Sequence, residues 1–321
     1  MVTELDFVTL DVFTATPFKG NPLGVVHLPP PSKGAALSQA QKQAIAREFN
    51  LSETVFIHDV DSDDEQDTHT RVIDIFITTR EIPFAGHPTI GTAAYLSAKN
   101  VSKLITKAGP IPIRLGPEDG VVSATIPYNT HLNTKVLGDL ESSLSSSLLH
   151  LTPEIKSAEL GAPLFSIVNG MTFALIRLSS LELLSRVSPG RFPIAAQHIM
   201  DPEWSETFLG RYYNVLIETS VSKVGVRTVK LRTRLVEDVI EDPATGSAAC
   251  ALSTYLALHE YEETRIRFDI TQGVEMGRQS GIAVDVEVDI GEEGARRIQE
   301  VRLGGKARQI MRGTIVVPPV S

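Results

Sequence analysis

The sequence predicts an α/β protein made of two similar halves, and three observations carry that expectation. A chain of 321 residues with 42% hydrophobic content suffices for about two domains of 100–200 residues each. The stretch EIPFAGHPTIGTAAYLSA (81–98) is written again, without a gap, as EDPATGSAACALSTYLAL (241–258), at a constant offset of 160 residues. Glu81 falls on Glu241, Pro83 on Pro243, Gly86 on Gly246, Tyr95 on Tyr255 and Leu96 on Leu256, while His87 falls on Ser247. Each copy also follows a strand-like run, VIDIFI (72–77) or VKLRTRLV (229–236), breaks through a proline and opens a helix. Agreement in local structure as well as in letters favours an internal duplication over a chance match of two Gly- and Ala-rich stretches.

Taken in order, residues 6–13 and 24–28 read as strands around a turn at Lys19-Gly20-Asn21-Pro22, a run of turn-forming residue types. Ser38 is a predicted N-cap, with Gln41 completing a capping box, and the helix QAQKQAIAREF (39–49) ends at Asn50. A short strand, SETVFI, is followed by the acidic loop DSDDEQD (61–67) and the strand RVIDIFIT (71–78). The loop is not a calcium loop of the EF-hand type, because that needs glycine and glutamate where counting from Asp61 gives Gln66 and Val72. The first repeat copy then forms a helix, and residues 110–126 read as strands interrupted by Pro110, Pro112 and Gly116.

The Ser/Leu stretch LGDLESSLSSSLLHLTP (137–153) is either a linker or a short amphipathic helix. The domain crossover is placed near it, giving an N-terminal domain over residues 1–130 and a C-terminal domain over 131–321, whose last strands can return to the first. The second half reads as strands at 164–178, a helix at 193–198, strands at 213–219 and 226–236, and then the second copy of the helix. Residues 265–290 and 301–317 are strand-like, with turns at Gly273, Gly281 and Gly304-Gly305.

Composition removes several function classes. A net charge of −9 argues against a nucleic-acid partner, which needs clustered Lys and Arg. The single cysteine, Cys250, rules out an intramolecular disulfide and a thiolate metal cluster. The opening MVTELDFVTLDVF reads as a strand rather than a signal peptide, and no run approaches the roughly 18 apolar residues that span a bilayer. The expected address is the cytosol, without a membrane partner. The eight histidines form no HExxH pairing, the spacing of a zinc helix, and no GxGxxG follows the first strand. Neither a metal nor a cofactor is expected.

Both repeat copies open helices, and a helix start welcomes a carboxylate through its unpaired N–H groups and positive dipole end. In the first copy Pro88 fits the first helical position with His87 at the cap. In the second, Thr245 or Ser247 can cap, and the small residues that follow let a ligand approach the backbone. Two such starts could grip one small anionic metabolite; either alone is equally an ordinary capped helix. His87 and Ser247 share one place in the repeat, and each can face a ligand or simply satisfy a backbone group. Asp242, held extended by Pro243, either projects toward the helix mouth or belongs to a plain Asp-Pro turn. Glu53, in NLSETVFI, is a surface or capping residue, or a carboxylate whose pKa rises beside apolar neighbours, the direction a proton shuttle needs.

The motifs DVFTATPFKGNPLGVV (11–26), NLSETVFI (50–57), EIPFAGHPTIGTAAYL (81–96), EDPATGSAACALSTYL (241–256), QGVEMGRQS (272–280) and GGKARQIMRGTIVV (304–317) together resemble the PhzF-like isomerases of phenazine biosynthesis. Their wider superfamily has the diaminopimelate-epimerase fold. The resemblance covers almost the whole chain. It implies an α/β (α+β) fold of two pseudo-symmetric epimerase-like domains, each a sheet curled around a central helix, with the active site between them. It also implies chemistry without a cofactor, and a homodimer.

Racemases of that superfamily place a cysteine before a glycine in each copy; here Ala85 and Thr245 stand there, so two-thiol racemisation is not available. Carried across by motif, the implied catalytic set is Glu53, His87, Asp242 and Ser247, with Gly86, Pro88, Thr245 and Gly246 around the substrate. Glu53 would take a proton from one carbon and return it elsewhere on a conjugated system, while the other three hold and polarise the substrate. Two alternatives use the same fold: a one-base epimerase or racemase acting on an amino-acid-like substrate, or a binding protein in which catalysis is incidental.

Overall fold

A computed structural model describes residues 4–33, 36–61, 69–116, 120–140, 149–189, 199–237 and 239–319. Most of the acidic loop 61–67, the centre of the Ser/Leu stretch and the helix expected at 193–198 lie outside the described residues. The chain divides into two units, residues 1–126 with 303–321, and residues 127–302.

The first unit contains β1 (Glu4–Val12), β2 (Asn21–Leu28), α1 (Gln39–Phe49), β3 (Thr54–His58), β4 (Thr70–Phe76), β5 (Glu81–Ile82), α2 (Gly86–Leu96), β6 (Lys103–Thr106), β7 (Gly109–Leu115) and β8 (Val122–Thr125). The second contains β9 (His131–Val136), α3 (Pro153–Leu160), β10 (Pro163–Val168), β11 (Met171–Arg177), α4 (Leu181–Arg186), β12 (Phe208–Val221), β13 (Val226–Glu237), β14 (Ile240–Asp242), α5 (Gly246–His259), β15 (Arg265–Gln272) and β16 (Ser280–Ile290). Strand β17 (Arg296–Gly305) runs through the unit boundary, and β18 (Ala307–Val316) lies in the first unit against β1.

Strand pairing shows the duplication in the backbone. In the first unit β1 pairs antiparallel with β18 and β2, β2 runs parallel to β3, β3 antiparallel to β4, β4 parallel to β6 and β6 antiparallel to β7. The second unit repeats that order: β10 is antiparallel to β9 and β11, β11 parallel to β12, β12 antiparallel to β13, β13 parallel to β15 and β15 antiparallel to β16. Even the short hairpins keep the offset of the letters, since Phe76 faces Glu81 in one and Val236 faces Glu241 in the other. A parallel pair needs a crossover. Helices α1 and α2 supply two of these in the first unit, and α4 and α5 lie in the matching connections of the second.

The two helices of the repeat are buried nearly all round, from Gly86 to Ala93 in α2 and from Ala248 to Thr254 in α5. A helix without a polar face belongs in a core, and each sheet curls about its own. Helix α2 packs on β1, β2, β3, β8 and β18, and α5 on β10, β11, β15 and β16. Gly91 permits the close approach, because a Cβ there would lie 2.6 Å from methyl carbons of both Leu23 and Val12. Helix α1 covers another face, packing Ile45 and Ala46 with Leu5, Val26, Phe56 and Phe76. It begins with the predicted capping box of Ser38 and Gln41 and ends at Asn50 in the left-handed conformation.

Several boundaries differ from the sequence reading. Asn21 and Pro22 belong to β2; the proline is tolerated because pairing with β3 begins only at Gly24. Strand β7 runs through Pro110 and Pro112, which face β6, while the partner β8 is met from Ile113 onward. Gly281 lies within β16, and β17 continues through Gly304 and Gly305 before breaking at Lys306. The run 164–178 is a hairpin turning at Gly170, with φ of +88°. Helices α3 and α4 were not anticipated.

Candidate active site

In the first unit, Glu53 and His87 arrive from different elements. Glu53 lies between the left-handed Asn50 that stops α1 and the first residue of β3, Thr54, which is fully buried. The abrupt change from helix to strand leaves its side chain 18% exposed. Burial pushes its carboxyl above the ordinary value of 4.5, against a smaller downward pull from the Ser52 hydroxyl. His87 is the second residue of α2 and only 5% exposed. Its Nδ1 stands 3.6 Å from Glu53 Oε2, just beyond hydrogen-bond range.

The start of α2 corrects one expectation. Ala85, not His87, is the N-cap, and Pro88 is the third helical residue rather than the first. Since alanine has no polar side chain, this start carries no side-chain cap. Gly86 is the first helical residue.

In the second unit, Asp242 ends β14, Thr245 is the N-cap of α5, Gly246 its first residue and Ser247 its second. Ser247 therefore stands in α5 where His87 stands in α2. Thr245 caps by position only, because its hydroxyl donates to Asp242 Oδ2 at 2.5 Å instead of closing the helix. Arg234 braces the hairpin beneath Asp242: its Nε and Nη2 donate to the two carboxylate oxygens of Glu241 at 2.7 Å each. Its Nη1 donates to the carbonyl oxygens of Leu184 and Val187. Cys250 is buried in α5, and burial pushes its thiol up, so it packs as a small apolar residue.

The sequence reading assigned no role to Gln272, although it opens the motif QGVEMGRQS. That motif wraps the Asp242–Thr245 turn. Gln272 Nε2 donates to the Asp242 carbonyl oxygen at 2.8 Å, and the Ser280 hydroxyl donates to the Pro243 carbonyl oxygen at 2.9 Å. Gly273 has φ of +73°, and a Cβ there would lie 2.6 Å from the Pro243 carbonyl oxygen, so only glycine fits. The signal was available: a Gln-Gly pair at a strand end has a reason to be there.

Comparison with known proteins then decides the family. A family model for phenazine biosynthesis-like proteins, PhzC-PhzF, matches residues 10–313. The chain belongs to this family. Its curated relatives include the trans-2,3-dihydro-3-hydroxyanthranilate isomerase of Pseudomonas chlororaphis, 29% identical over 327 residues and covering 97% of this chain and 99% of that one. A protein named as an uncharacterized isomerase from Mesorhizobium japonicum is 31% identical, with 97% and 99% covered. The crystal structure of a PhzF-family phenazine biosynthesis protein from Bacillus anthracis shares the fold, with a TM-score of 0.69 at 19% identity over 98% of this chain and 99% of that one. These relatives place this PhzF-family chain among the isomerases.

Proposed function

We propose that this protein moves a proton within a small carboxylated metabolite, cyclic or unsaturated and bearing an amino or hydroxyl group, with Glu53 as the carrier. The observation that carries the reading is the Glu53 carboxyl itself, largely buried, raised by desolvation and placed beside His87 at the start of α2. A carboxylate whose pKa lies above its ordinary value is a stronger base than an exposed one, and toward neutral pH it is more often present in the protonated form that can return the proton. It would remove a proton from one carbon and return it to another carbon of the same conjugated system, so that substrate and product are isomers and nothing else is consumed.

The other groups have supporting roles. A substrate carboxylate suits a helix start that no side chain closes, and both α2 and α5 have such starts. His87, Asp242 and Ser247 would bind amine, hydroxyl or carboxylate groups and polarise the conjugated system. Gly86 and Gly246 admit the substrate to the backbone, with Pro88 and Thr245 beside them. That both helix starts serve one substrate is supported by the duplication and by family membership.

The named relatives suggest the first compound to test. The purified protein is incubated with trans-2,3-dihydro-3-hydroxyanthranilate and a panel of small cyclic and acyclic amino and hydroxy acids, and products are followed by NMR. Conversion of a panel member to a positional isomer supports the reading. Inversion at a single carbon would make it an epimerase instead, and tight binding without any conversion would make it a binding protein.

A further inference from the structure

We propose that Gln272 is a positioning residue that fixes the hydrogen-bond polarity of Asp242, acting through the hydroxyl of Thr245. This role presupposes that Asp242 faces the substrate, as proposed above. Gln272 is wholly buried at the end of β15, and four hydrogen bonds converge on its amide. Nε2 donates to the Asp242 carbonyl oxygen at 2.8 Å and to Thr245 Oγ1 at 3.0 Å. Oε1 accepts from the Thr245 N–H at 3.3 Å, and the Tyr212 hydroxyl lies 3.2 Å away.

Only one orientation of that amide satisfies its surroundings. Turned over, the NH2 group would meet the Thr245 N–H, and Oε1 would meet the Asp242 carbonyl oxygen. Donor would face donor and acceptor would face acceptor. Tyr212 fits this orientation without deciding it, because its hydroxyl reaches both Gln272 Oε1 and Thr233 Oγ1, at 3.2 and 3.0 Å.

The direction propagates to the carboxylate. Because Thr245 Oγ1 accepts from Gln272, its own proton turns to Asp242 Oδ2, 2.5 Å away. A donor aimed at a carboxylate favours its charged form and leaves it an acceptor toward a substrate. A residue that only tied the turn together would need bonds to the backbone alone; here one amide proton is spent on a side-chain hydroxyl. The first repeat copy has no such chain, because Ile82 stands in the place of Asp242 and Ala85 in the place of Thr245.

The test needs no substrate. Carboxyl 13C NMR titration follows Asp242, assigned with Asp242→Asn, in the wild type, Thr245→Val, Gln272→Met and the double variant, with folding checked by circular dichroism. Each single variant is expected to raise the Asp242 titration midpoint by about one pH unit. The double variant should move it no further, as for two links of one chain, and Thr245→Ser should restore the wild-type midpoint. A folded Gln272→Met protein with an unmoved midpoint overturns the role. If Gln272→Met does not fold, Gln272→Asn, too short to reach Thr245, replaces it. Failure of both to fold marks Gln272 as structural and equally overturns the role. Midpoint shifts in a protein that isomerises nothing would uphold the Gln272 chain and remove only its catalytic meaning.

Discussion

Glu53 Oε2 stands 3.6 Å from His87 Nδ1 within the first unit. The two residues lie 34 positions apart in the sequence (87 − 53), one at the entry into β3 and one in the first turn of α2. Their adjacency sets an expectation for pH dependence. A proton acceptor must be ionised, so turnover should rise with pH along an acidic limb whose inflection lies above 4.5, the ordinary value for this group. A profile of kcat/KM against pH checks this. An inflection at or below that value would mean that Glu53 is not the acceptor.

The same burial has a cost for stability. The raised pKa means the native state holds the Glu53 proton more tightly than the unfolded state does. Stability from this group is therefore present below the unfolded value, near 4.3, and is lost as pH rises from there through the folded value. Glu53→Gln removes the titration. The variant should be more stable than the wild type at pH 7, and the gain should shrink toward zero below pH 4. Denaturant unfolding at both pH values measures it.

Arg234 and Glu241 predict a loss of a different kind. Their side chains are 5% and 12% exposed, and removing one partner leaves the other charge buried. Arg234→Met should cost about 3–5 kcal/mol. Arg234→Met combined with Glu241→Leu should recover part of that loss, read from the same unfolding curves.

Gly91 tests the central position of α2. Its missing side chain lets the helix lie against Val12 and Leu23, both fully buried. Gly91→Val should destabilise by about 1–3 kcal/mol through overpacking, despite valine's better helix propensity. A thermal melt with an unchanged Tm would show that α2 has room there.

Much of this was legible before the structure. The repeat carried its own offset into the strand register, as Phe76–Glu81 and Val236–Glu241 show, because letters that define a strand, a proline break and a helix start are local. The capping box at Ser38 is local as well. Elements set by tertiary pairing were harder. Pro110 and Pro112 read as breaks, yet β7 passes through both because its partner changes along its length. Helices α3 and α4 are short, 8 and 6 residues, and offer little periodicity. Among the candidate site residues, Glu53 and His87 meet in one unit, while Asp242, Thr245, Gly246 and Ser247 gather around one turn of the other. Gln272 stayed hidden because its partners lie 27 and 30 positions upstream, and only β15 lying parallel to β13 brings them together.

The most direct test of Glu53 as proton carrier is product formation in heavy water, followed by NMR and mass spectrometry, with wild type and Glu53→Gln side by side. Trans-2,3-dihydro-3-hydroxyanthranilate and the wider acid panel are the substrates, and binding is measured for both proteins. The account predicts isomer formation by the wild type, with or without deuterium at the receiving carbon. Loss of at least about 10²-fold in rate is expected for Glu53→Gln, with binding retained. A Glu53→Gln protein that isomerises at the wild-type rate would contradict the account, as would a wild type that binds a panel member tightly and leaves it unchanged.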